Sequence, residues 1–145
     1  MFNTNSAFNV YNQTVTLLNK IPGEQLGQKE DKWIKTVLTG AVWTVKPQAF
    51  VSGTSISYQN TQQVFLTDVS NYLPFREFIA YGGNSNNWTL SLNDYVVRGE
   101  VFDDLNSTSI TKVLSKYRPC VCKVQTFKEL PARGFNMIKF VIEGV

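Results

Sequence analysis

The residue types that most often carry reactions are scarce in this chain, and their spacing argues against catalysis. No histidine occurs among its 145 residues, so the commonest general base and metal ligand near neutral pH is missing. The two cysteines, Cys120 and Cys122, flank Val121. On a strand they share a face with Cα atoms roughly 6.5–7 Å apart at ~3.3 Å per residue, at or past the reach of an unstrained disulfide. Two thiolates are half of a structural zinc site, and no companion ligands accompany them. They read as two buried thiols in a core strand. A cysteine nucleophile would need a positioned base and an electropositive, accessible setting, which an apolar strand does not offer. Asp103 and Asp104 are adjacent and begin a turn, Glu30 and Asp31 form an exposed loop pair, and Gly82-Gly83 lacks the Lys-Ser/Thr of a phosphate-binding loop. The expectation is a protein that is not an enzyme, with no catalytic residues, cofactor or metal, acting through shape and partners.

The elements that would present such a surface are mostly strands. The central stretch is 88–101: Trp88, Leu90 and Leu92 alternate with Thr89, Ser91 and Asn93, Asn93-Asp94 makes a turn, and Tyr95 to Val101 starts a central strand with a bulge or second turn at Gly99. Upstream, 11–20 is a first strand, with Gln13, Val15 and Leu17 on one face and Thr14, Thr16 and Leu18 on the other. A polar loop opened by Pro22-Gly23 leads to a second β segment, Lys32 to Lys46, which Gly40 should bend or bulge. Trp33 and Trp43 read as core anchors. Pro47 to Gln63 is neutral and polar, yet Ile56 and Tyr58 keep a period of two, so it reads as a long hairpin tip before a returning strand at 63–69. Around Pro74, Phe75, Phe78 and Ile79 stand at helical spacing and predict one or two turns, a lid or a docking knob. Ile110, Val113, Leu114 and Tyr117 stripe a helix over about 107–117, capped by Asn106 or Ser107 and ended by Pro119. Alternating runs from Cys120 and from Asn136 close the chain as a terminal hairpin. The fold class is therefore mainly β: a small barrel or sandwich of about six strands with one short helix and a long hairpin loop, a single domain over 10–145 behind an arm at 1–9.

Composition agrees with one folded unit. A 43% hydrophobic share with ten Phe, six Tyr and three Trp supplies a core and favours strands. The charged share is only 17%, below the usual quarter or so, which suggests that neutral, aromatic surface is covered by neighbours. The net charge of +3 is spread along the chain without a basic block, so sequence-reading DNA binding is not expected. No signal-peptide pattern and no membrane-length apolar run occur; a soluble chain made in a cytoplasm is expected.

The order of these signals resembles the small minor-capsid or head–tail joining proteins of long-tailed bacteriophages. The resemblance rests on Thr14-Val-Thr-Leu-Leu-Asn-Lys, the span from Trp33 to Trp43, the Ser/Gln-rich loop and returning strand, the turn-strand from Leu90 through Asn93, Asp94, Val96, Val97 and Gly99, and the closing Lys139-Phe-Val-Ile-Glu-Gly. It covers roughly 10–145. Two departures stand out: Asn93 occupies a position that often carries Gly, and the excursion at 68–87 is longer than in the shortest relatives. The resemblance implies a small β-barrel that assembles as a closed ring of six or twelve copies in the virion neck, between portal or adaptor proteins and tail proteins. In stopper-type members the loop between strands two and three projects into the channel and retains packaged double-stranded DNA, without sequence specificity. Here that loop is Pro47 to Gln63, with Gln48, Ser52, Ser55, Gln59 and Asn60 as channel-facing residues; neutral side chains there would face DNA without gripping phosphates. Ring contacts between two different patches per subunit would fall to the arm residues Phe2 and Phe8 and to the aromatic excursion Tyr72, Phe75, Phe78 and Tyr81. The rival readings are a tail terminator at the top of the tail tube and, from another class, a monomeric barrel binding nucleic acid or peptides.

Overall fold

The computed structural model describes residues 13–81, 86–130 and 140–145. The expected arm with Phe2 and Phe8 lies outside them, as does the turn of the terminal hairpin. The β-rich runs form six antiparallel strands: β1 (Gln13–Ile21), β2 (Lys32–Ser52), β3 (Ser55–Leu66), β4 (Tyr95–Arg98), β5 (Val121–Glu129) and β6 (Phe140–Gly144). They close into a barrel in the order β1-β2-β3-β6-β5-β4. The chain is mainly β, with two short helices, α1 (Phe75–Ala80) and α2 (Ile110–Tyr117), rather than one.

Alternation sorts the strand residues as expected. Val15 and Leu17 of β1 join the barrel interior, while Leu18 joins a second cluster under α2. The interior also takes Leu38, Trp43, Val64, Val96, Cys122, Phe140 and Ile142. The apolar stripe of α2, Ile110, Val113 and Leu114, covers Leu18, Val97, Val101 and Val121 on the outside of the wall. The helix begins later than expected, at Ile110, with Ser109 and not Asn106 or Ser107 at its N-cap and no side-chain cap. Asn106 Oδ1 instead accepts the backbone N–H groups of Thr108 and Ser109 at 2.9 and 2.8 Å and holds 106–109 as a separate turn.

Gly40 bends β2 as expected. Gln13 faces Ala41 and Val15 faces Leu38, so Thr39 and Gly40 together oppose Thr14 alone. Gly40 takes φ +72° there, which costs a residue without Cβ little. Past this bulge the described pairing of β2 continues with β3.

The stretch 88–92 corrects its expected strand. Trp88 makes one isolated parallel bridge with Tyr72, and Trp88, Thr89 and Leu90 are all buried while Leu92 is exposed. The reason is a side chain: Asn19 Nδ2 donates to the Thr89 carbonyl at 2.7 Å, and Asn19 Oδ1 accepts the Thr89 N–H at 3.4 Å. An amide thus takes the place of a neighbouring strand. The excursion 67–90 lowers Trp88 into one end of the barrel, where its ring lies 5.1 Å from Tyr72 and 6.0 Å from Phe140, centroid to centroid. Such aromatic clusters stabilise beyond their buried area. Trp88→Ala should therefore cost about 3–5 kcal/mol, to be read as a lowered urea midpoint for barrel unfolding.

Candidate functional site: the ribbon and the barrel mouth

β2 and β3 are longer than the strands that flank them, and this mismatch creates the most distinctive feature of the surface. Among the described residues, β1 covers β2 through Ala41, and β6 covers β3 from Gln62 onward. Val45 to Ser52 and Ser55 to Asn60, among the described residues, form a ladder with each other, down to a two-residue turn at Gly53-Thr54. From Val45 to Ser52 this ribbon reaches roughly 23 Å at ~3.3 Å per residue. The expected hairpin tip is thus a regular two-stranded ladder. Val45, Val51 and Ile56 are 54%, 72% and 60% exposed, and a bare two-stranded hairpin is at best marginal in water.

Side-chain bonds stitch its root where the flanking strands stop. Gln13 Oε1 accepts the Trp43 N–H at 3.1 Å, Gln62 Nε2 donates to the Val121 carbonyl at 2.9 Å, and Gln63 Nε2 donates to Glu143 Oε1 at 3.1 Å. Two clefts open at this end of the barrel and share Gln62 and Pro119. One, of about 620 Å³, is lined by Tyr95, Arg118, Val121, Lys123 and Val145; the other, of about 290 Å³, by Trp43, Val45, Asn60, Arg98 and Cys120.

The five residues expected to face a channel are divided by this geometry. Ser52 and Ser55 pair at the exposed tip. Asn60 pairs with Pro47 on the opposite face and lines the cleft at the root. Gln48 and Gln59 pair with each other along the ribbon backbone. The expected aromatic contact patch requires correction. Phe78 is fully buried against Ile21 and Ile34, because its helical turn closes the far end of the barrel. Tyr72 is half-buried, its ring 4.7 Å from Phe140, and Phe75 is half-buried; Tyr81 stands 68% exposed. Only Tyr81 of the four is free to touch a neighbour with most of its ring. Phe102 and Leu92, 75% and 58% exposed, were not singled out by the sequence reading and are open to contact. Arg98, Arg118 and Lys123 were also missed, since they are separated in sequence and meet only through the β4–β5 ladder and the end of α2.

Two titratable groups have environments that alter their chemistry. Asp94, read from sequence as a turn residue, is completely buried. Its Oδ2 accepts from Asn19 Nδ2 at 2.9 Å and the Ser91 N–H at 2.8 Å, and its Oδ1 accepts the Lys20 N–H at 2.9 Å. Burial outweighs these three donors and pushes the carboxyl up to about 6. Cys122 is buried as expected, and desolvation pushes its thiol up to about 12; Cys120 is half-buried and opens to the cleft, a correction to the reading of two buried thiols. Among the described residues no group of His, Cys, Asp or Glu could hold a metal ion, and no helix is long and apolar enough to cross a membrane.

Because the native state holds the Asp94 proton up to about pH 6 and an unfolded Asp releases it near ~3.9, folding takes up a proton between those values. The contribution of Asp94 to stability should therefore fall as pH rises through that window. Asp31, Asp68 and Asp103 are shifted in the opposite direction, so their effect appears at lower pH. Asp94→Asn should remove the slope between pH 4 and 6 in denaturant titrations. It should also lower stability by about 1–3 kcal/mol, since an amide N–H₂ must then face one of the three donors. Iodoacetamide should alkylate Cys120 in the native protein and Cys122 only after unfolding, read by peptide mass mapping.

Residues 10–145 match the model of a family of unknown function, DUF6751. No curated protein and no solved structure matches the chain.

Proposed function

We propose that this chain, which belongs to the DUF6751 family of unknown function, is a structural protein of a tailed-phage neck. In this reading it forms a closed ring that joins the portal or adaptor of the head to the tail and surrounds the DNA. The observation that carries the reading is the β2–β3 ribbon, which leaves a closed barrel with no described strand on either edge of Val45–Ser52 and Ser55–Asn60 and with apolar side chains in the open. A lone subunit gains nothing from such an element, whereas copies around an axis cover one another's ribbons and bring the tips to the centre.

The two edges differ in what they offer a neighbour. Pro47 removes a backbone donor from the β2 edge and Lys46 adds a charge beside it, both of which discourage strand addition. The β3 edge from Ser55 to Thr61 contains neither proline nor charge. Strand addition onto β3 is thus the route by which an adjacent subunit or a tail protein would dock. The tip, with Ser52, Gly53, Thr54 and Ser55, is neutral, and DNA would slide past it without being held through counterion release.

The test is electron microscopy of the purified protein, alone and mixed with the cognate portal or adaptor. Closed rings with ribbons directed at the axis are expected. A variant in which a two-residue Asn-Gly turn replaces 47–60, between the paired Lys46 and Thr61, should keep the folded barrel but lose ring formation or DNA retention in assembled heads. A chain that stays monomeric under both conditions and joins neither heads nor tails would overturn the reading.

A further inference from the structure

The charges around the ribbon root point to a ligand that the neutral tip does not. Arg98, Arg118 and Lys123 line the two clefts that meet at Gln62 and Pro119, and no Asp or Glu lines either cleft. All three side chains are exposed. The ion pairs among the described residues are Lys20 with Asp31 and Lys116 with Asp103, so none of the three cations is neutralised by a carboxylate partner. The cleft at 28–33 and 105–106 makes the contrast: there Lys29 and Lys32 share the lining with Glu30 and Asp31, and the charges cancel locally.

We infer that this cationic double cleft at the ribbon root binds the phosphodiester backbone of nucleic acid. Arg98 donates its backbone N–H to the Cys120 carbonyl, and Tyr95 faces Lys123. The positions of Arg98 and Lys123 are therefore three residues apart along the ladder, roughly 10 Å. Their side chains leave opposite faces of the wall, Arg98 on the side of Val96 and Cys122 and Lys123 on the side of Tyr95 and Val121. Being on two sides of one wall, the cations would meet separate phosphates rather than crowd around one. The guanidinium forks of Arg98 and Arg118 match phosphate oxygens two at a time, and Lys123 supplies a point charge. Asn60 and the Tyr95 hydroxyl, in the same linings, add neutral polar contacts.

Phosphate binding by the cleft stands on these cations alone; that the ligand is DNA held in a virion neck rests on the ring reading above. The two are separable. A grip at the root with a smooth tip would let a ring brake DNA at one level while leaving the channel centre free.

The test is a fluorescence-anisotropy titration of the full chain with a labelled mixed-sequence duplex across a salt series, alongside microscopy of the same samples. Binding should be independent of sequence. The slope of log Kobs against log salt should flatten by about 0.9 for each of Arg98→Gln, Arg118→Gln and Lys123→Gln. Arg98→Lys and Arg118→Lys should keep most of the slope, and Lys112→Gln and Lys128→Gln, on exposed positions away from the clefts, should leave it unchanged. Absence of binding, or an equal effect of Lys112→Gln, would overturn the inference while leaving any rings seen by microscopy standing. Binding of pyrophosphate but not of the duplex would identify a free phosphate as the ligand and overturn it too. So would competition by poly-glutamate as strong as that by DNA, which would make the cleft a dock for an acidic protein segment.

Discussion

A β-strand needs a neighbour on each edge, and the unequal lengths of these six strands decide nearly everything else about the molecule. Where all six run side by side the sheet closes and no edge remains. β2 has 21 residues and β3 has 12, against nine in β1 and five in β6. The surplus emerges from the wall as a ribbon with no described strand along either edge. The Gly40 bulge makes this possible, because it turns β2 away from β1 before their pairing ends. Among the described residues the ribbon's backbone edges and its exposed valine and isoleucine side chains are left facing solvent, the kind of surface that other proteins shield or pair.

A polar device holds the barrel's interior in register. Asn19 and Asp94 are both inaccessible and bond to each other and to backbone groups of Lys20, Thr89 and Ser91. They tie β1 to the segment that carries Trp88 and to the start of β4. A buried network of this kind is favourable only when satisfied throughout, so it penalises alternative pairings more than apolar packing would. Both Asp94 carboxylate oxygens accept from donors in this network.

Several features were legible in the residues themselves. The turn at Asn93-Asp94, the bulge at Gly40, the apolar stripe of α2 and the hairpin character of 47–63 all follow from local chemistry or periodicity, which act within a few residues. Other readings failed where a distant group intervened. The alternation of 88–92 was lost because Asn19, 70 residues away, supplies the bonds a strand partner would have made. Phe78 and Tyr72 resembled surface aromatics, but α1 and the bridge to Trp88 turn them inward. The neutral composition of 47–63 suggested a site without charge, yet its root lies beside Arg98, Arg118 and Lys123.

By itself, then, the amino-acid order determined the β-rich character of the chain, its main turns, and the absence of histidine, because these depend on residue type and short-range spacing. Strand order, the length mismatch that exposes the ribbon, the burial of Asp94 and the meeting of three distant cations were decided only in three dimensions. Each of them depends on which segments become neighbours, and closing a sheet makes neighbours of residues that no local pattern links.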